Sequence, residues 1–173
     1  MKKKMFAMVS GIVLTILVFS TAFAGGGVKL SSVTFSLGSL IAKGSVSGIG
    51  NTDVTMLLDA SGVPAIVCTN GGGNQVPGQS SPKVTAEGSQ KLLGNDPVRK
   101  NGKAAFGVET QAPPPLTWDQ AGCPNSNWTA QIVFVYWTDA VLSVYDSTTQ
   151  ALLLQQKYTC KTTNTTVSCT LVP

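Results

Sequence analysis

The stretch "AQIVFVYW", residues 130–137, places Ile132, Phe134 and Tyr136 on one face of an extended chain and Val133, Val135 and Trp137 on the other. Both sets are apolar, so the segment reads as a central strand covered on both faces. Working outward, Thr138-Asp139 reads as a tight reversal into "AVLSVYD" (140–146). "STTQ" (147–150) reads as a second reversal, into "ALLLQQKYTC" (151–160). The C-terminal half is thus expected to hold three or four strands joined by hairpins.

The same period-two pattern recurs upstream, and no segment sustains a helical period. Val33, Phe35 and Leu37 alternate with Ser and Thr, and Val54, Met56 and Leu58 follow the Gly50-Asn51 turn signal. Ala65-Ile66-Val67 leads into Cys68, and Ala105-Phe106 opens a short strand after Asn101-Gly102. Two stretches interrupt the pattern: the apolar-poor "NGGGNQVPGQSSP" (70–82) and the proline-stiffened "QAPPPLT" (111–117). No internal repeat is present. About nine short antiparallel strands in one domain predict an immunoglobulin-like β-sandwich, with a jelly roll as the alternative.

The N-terminus carries Lys2-Lys3-Lys4, an apolar body from Met5 to about Phe19, and Ala22-Phe23-Ala24 before Gly25. These are the three parts of a secretory signal peptide of bacterial character, with cleavage expected after Ala24. The apolar body is shorter than the ~20 residues a spanning helix needs, and nothing later replaces it. Residues 25–173 then form a single exported domain, expected to be a monomer. Its basic residues fall from 12 to 9 with the loss of the three signal lysines, against 8 acidic residues. The charges are scattered, and the clustered basic face that nucleic acid requires is missing from the sequence.

All four cysteines, Cys68, Cys123, Cys160 and Cys169, lie beyond the signal segment. In an exported chain an even count reads as disulfides. "YTCKTTNTTVSCT" (158–170) looks like a hairpin with one cysteine on each arm, which favours Cys160–Cys169 and leaves Cys68–Cys123. Zinc is disfavoured by the lack of a C-x-x-C spacing and of any histidine. Within "AGCPNSNWTA" (121–130), Cys123 then anchors a turn, Pro124 to Asn127 supply turn chemistry, and Trp128 opens a strand as a core residue packed on the bridge. Asn127-Trp128-Thr129 and Asn164-Thr165-Thr166 are formal glycosylation sequons, read as chance in a bacterial protein.

The lack of histidine removes the Ser-His-Asp and Cys-His arrangements, and the paired cysteines leave no thiol nucleophile. The carboxylates Asp53, Asp59, Glu87, Asp96, Glu109, Asp119, Asp139 and Asp146 remain. Most read as solvated turn residues, Asp59 before Ala-Ser-Gly and Asp139 in a hairpin among them. "GIGNTD" (48–53) is a weak calcium candidate without the D-x-D-x-D-G loop. Gly71-Gly72-Gly73 lacks the following helix that a phosphate loop needs. No cofactor, metal or catalytic residue is therefore expected. Trp137 reads as core. Trp118, with Asp119 beside it, is the candidate ligand contact, because it follows a rigid proline run and loses little entropy on binding.

"GNTDVT" (50–55), "CTNGGGNQVPG" (68–78) and "QAGCPNSNWTA" (120–130) together resemble a group of small exported bacterial proteins of unknown function. The resemblance implies export and a β-rich domain, and carries no activity onto any residue. The expected role is non-catalytic, a binding or structural component of the cell envelope or extracellular matrix. Two other classes are carried alongside it. One is a carbohydrate-binding or weakly carbohydrate-active module; the other is a secreted protease inhibitor presenting residues 111–120.

Overall fold

A computed structural model describes residues 27–97 and 99–173; the expected signal segment, residues 1–24, lies outside the described residues. The described chain is all-β, with nine strands, antiparallel sheets and no helix. The strands are β1 (Lys29–Ser36), β2 (Ile41–Ser47), β3 (Val54–Asn70), β4 (Gln75–Pro77), β5 (Val84–Leu92), β6 (Ala104–Glu109), β7 (Trp128–Asp146), β8 (Leu152–Thr162) and β9 (Val167–Leu171). One sheet runs β1-β2-β6. The other runs β4-β3-β7-β8-β9, with β5 pairing the same edge of β3 as β4 further along. The inner faces of both sheets meet in one core that includes Leu40, Val46, Met56, Leu58, Phe106, Val108, Trp137 and Leu142. Burying those faces against each other is what drives two sheets into a sandwich.

The reversal expected at Thr138-Asp139 does not occur. β7 runs unbroken for 19 residues, and β3 beside it for 17. Ala65-Ile66-Val67 is therefore the continuation of the strand that begins at Val54, not a strand of its own. What the sequence disguises as a turn is a bulge. Ser61 pairs with Asp139 and Gly62 with Trp137, leaving Thr138 extra on β7. Its hydroxyl donates to the Ser61 carbonyl at 3.2 Å. A second bulge leaves Val133 extra, between the pairs Ala65–Phe134 and Ile66–Ile132.

These two bulges explain the two-sided apolarity of "AQIVFVYW". Each extra residue reverses the phase of the alternation. Along β3 the inward residues keep one parity, from Val54 through Met56 and Ala60 to Ile66 and Cys68. Opposite them, β7 turns inward first at Ala130 and Ile132, then at Val135 and Trp137, then at Ala140, Leu142 and Val144. The segment is inward on alternate faces in succession, not covered on both. Indeed Val133 is 56% exposed. Gly62 is required at the Thr138 bulge, because a Cβ there would stand 2.5 Å from the Tyr136 carbonyl oxygen.

The glycine- and proline-rich stretch 70–82 is also not all loop, since Gln75–Pro77 pairs with Val67–Thr69 as β4. Both favoured disulfides are present, Cys68–Cys123 and Cys160–Cys169. The second joins directly opposed residues of β8 and β9. The first ties β3 to the loop before β7, so neither crosses between the two sheets. Around Cys68–Cys123 sits a second, smaller apolar cluster of Ile66, Ala121 and the half-buried Val76, Trp128 and Ala130. Trp128 packs on the bridge as expected, without being fully enclosed.

The two sheets are hydrogen-bonded to each other where β5 passes the end of β6. The Gln111 amide donates to the Glu87 carbonyl at 2.8 Å, and the Gly107 amide to Gln90 Oε1 at 2.8 Å. Gly88 lies in this crossing: a Cβ on it would collide with the Glu109 carbonyl and come within 2.9 Å of Thr110 Cα. Because the obstacle is backbone, only separation of the sheets relieves it. Gly88→Ala is expected to destabilise the protein by about 3 kcal/mol, measured as a shift in the denaturant midpoint at unchanged slope. A shift below about 0.5 kcal/mol would show that this crossing is slack.

Candidate functional site

Trp118 lies on a turn over residues 117–122 that the structure fixes from several directions. The amides of Ala121, Gly122 and Cys123 donate to the carbonyls of Thr117, Asp119 and Trp118 at 3.0, 3.1 and 2.7 Å. The Thr117 amide donates to Gln120 Oε1 at 3.0 Å, and its hydroxyl to Asp119 Oδ1. That hydroxyl is the main reason the Asp119 carboxyl is held below the usual carboxylate range. Beneath the turn, Ala121 is fully buried and Cys123 is bonded to Cys68. On top, the Trp118 side chain is 40% exposed. The sequence-predicted pair therefore divides its labour: Asp119 shapes the turn, and Trp118 is the group the turn presents.

The segment before this turn is held down more than its prolines suggest. Thr110 is buried, donates its amide to the Leu40 carbonyl at 3.0 Å, and accepts a hydrogen bond from the Leu40 amide at 3.1 Å through its hydroxyl. Pro113 and Leu116 are half-buried, and Leu116 packs against both apolar clusters. Residues 111, 112, 114 and 115 face solvent between those anchors.

Two acids that read as turn residues are strand residues instead. Asp59 sits in mid-β3 directly opposite Glu87 on β5, and Asp139 sits on β7 opposite Ser61. All three project from the outer face of the larger sheet, where a shallow depression of about 280 Å³ is lined by Asp59, Ser61, Thr85, Glu87, Asp139 and Val141. Partial burial, followed by the charge of Glu87, pushes the Asp59 carboxyl above its ordinary value. Asp139 moves the other way. Hydrogen bonds from Lys83 at 2.8 Å and from Thr138 at 2.7 Å hold its carboxyl low. Reading Asp59 through its neighbours would have found this, because Leu57, Asp59 and Ser61 continue one face of the strand that starts at Val54.

The facing pair has a consequence for stability. A carboxyl raised in the folded state favours folding when protonated and opposes it when charged. Asp59→Asn is therefore expected to stabilise the protein near neutral pH by roughly 0.5 kcal/mol, the scale of a like-charge cross-strand pair. The gain should fade as pH falls through the raised pKa and vanish below the ordinary carboxylate value, where Asp59 carries its proton in both states. Melting temperatures of the two proteins at pH 7 and pH 3 check this, and an equal difference at both would contradict it.

The calcium candidate resolves differently. Asp53 accepts from the Gly94 amide at 2.7 Å and pairs with Lys91 at 3.2 Å, so it ties two loops together. Among the described residues no group of three Asp, Glu, Cys or His is arranged to hold a metal ion, and no helix is long and apolar enough to cross a membrane. The two disulfides indicate that the folded protein works in an oxidising compartment. Comparison with protein-family models, curated proteins and solved structures gives no match to this chain.

Proposed function

We infer that this is an exported, non-catalytic binding protein of the cell envelope or extracellular matrix, and that it engages its partner through the Trp118 turn. One observation carries the reading: a large aromatic side chain stands exposed on a turn whose backbone is fixed by main-chain hydrogen bonds, a buried alanine and a disulfide. An indole held this way contributes contact area at little entropic cost, because the loop is ordered before the partner arrives. The disulfides suit a setting without reducing power.

A carbohydrate-active reading draws support from a different observation, the facing Asp59 and Glu87 in a surface depression. Paired carboxylates are the groups glycoside hydrolysis uses. One panel separates the two. The mature protein is incubated with isolated host envelopes and with insoluble cellulose, chitin and peptidoglycan, and both pull-down and released reducing sugar are measured. Retention without sugar release is the expected result. Release of sugar that Glu87→Gln abolishes would replace the binding reading with the hydrolytic one.

A further inference from the structure

The bulged half of β7 leaves an opening in the side of the sandwich. β8 pairs with β7 only over Asp139–Tyr145. Across Thr129–Tyr136, no described strand lies along the outer edge of β7, whose main-chain groups there are available to another chain. Protein edges are usually blunted by charge, proline or brevity. Three other edges here follow that rule. β4 is three residues ending in Pro77, β5 carries Glu87 and Lys91, and the β6 edge is capped at Gly107 by the Gln90 side chain. The free edge of β7, "TAQIVFVY" (129–136), has no charge and no proline.

Beside this edge lies a cleft of about 210 Å³. Its walls are Ile132 to Val135 of β7, Gly38 and Ser39 of the β1–β2 turn, and Ala112 and Pro113 of the proline segment. Every one of these residues is uncharged. Trp137 also lines the cleft; it is 1% exposed, and its indole N–H has no acceptor among the described residues. A buried donor left without an acceptor costs about 1–3 kcal/mol.

We propose that this cleft binds an uncharged, extended peptide segment as an added strand against β7. The edge supplies main-chain hydrogen bonds, and the neutral walls take apolar side chains. Neutral walls exclude charged occupants, since a charge placed there would lose its hydration without a partner. The Val133 bulge widens the strand at the mouth of the cleft, a position bulges commonly take beside functional sites. This site is separate from the Trp118 turn and does not depend on the reading given for it.

The test uses the mature protein and the blocked peptide acetyl-Thr-Val-Thr-Val-Thr-Val-amide, followed by tryptophan emission and by calorimetry. Saturable binding is expected. It should weaken at least about tenfold in Val133→Lys and in Ala112→Glu, which place charge on opposite walls at exposed positions. Replacing the central valine of the peptide with proline should weaken it similarly by removing a main-chain donor. Circular dichroism and melting temperature verify that both variants fold. No binding of the peptide would overturn the proposal. So would binding that neither wall variant alters, or equal binding of the proline peptide and of a fatty acid ester, which would mark a merely greasy opening.

Discussion

Trp137→Ala is expected to cost about 4 kcal/mol, lowering the melting temperature by roughly 10 °C. Trp137 is the largest fully buried side chain among the described residues and sits between the two bulges of β7, facing Gly62 across the strand pair. Truncating it removes the transfer free energy of an indole and leaves a cavity that the surrounding sheet can only partly close. Closure is limited because Gly62 already touches the backbone of β7, so β3 and β7 have no room to move together. Against a total stability of about 5–15 kcal/mol, the loss leaves a folded but marginal protein. Trp137→Phe keeps most of the volume and should cost less than half as much. The indole N–H makes no hydrogen bond that phenylalanine would forfeit. Chemical denaturation of the three proteins checks the order, and equal midpoints for Trp137→Ala and wild type would show that the core does not depend on this residue.

Removing the Cys68–Cys123 bridge by Cys68→Ala with Cys123→Ala is the second large effect. The bridge spans 55 residues of sequence, and closing such a loop in the unfolded chain is worth ~4 kcal/mol in the chain-entropy model. Both sulfurs are buried in the smaller apolar cluster, and the other ties from the 117–123 turn toward β3 run through residues 78–80, whose Gln79 and Ser80 amides donate to the Gly122 and Ala121 carbonyls. The variant should therefore lose order locally as well as stability globally. The Trp118 turn is expected to exchange its amides faster than β3 and β7 do. The Cys160→Ala, Cys169→Ala variant opens a loop of only 9 residues and should lose only ~2.5 kcal/mol on the same model, without affecting that turn. Hydrogen exchange on both variants measures this. Unchanged protection at Ala121, Gly122 and Cys123 in the first variant would show that the turn holds itself.

Much of this architecture is legible in the residues, and the parts that are not share a cause. The all-β class and the disulfide pairing follow from alternation and from a hairpin with a cysteine on each arm. Trp137 as core and Trp118 as an exposed group follow from their neighbours. Thr138-Asp139 deceives because a turn and a bulge use the same polar residues and both reset the alternation. Only a partner strand distinguishes them, and β3 is nearly 80 residues away in sequence at that point. The same error hides the acids: once Asp59 and Asp139 are assigned to turns, their meeting with Glu87 on one sheet face cannot be seen. The free edge of β7 is equally invisible, since it depends on where β8 stops pairing.

Titration of the mature protein against isolated host envelopes, with wild type and Trp118→Ala compared side by side, decides whether the ordered turn is the binding anchor. Tryptophan emission and sedimentation of bound protein give the affinity, and melting curves confirm that the variant is folded. Saturable wild-type binding that falls roughly thirtyfold in Trp118→Ala, about 2 kcal/mol, is the predicted result for a buried aromatic anchor. Equal binding by the two proteins, or none by wild type, would contradict it.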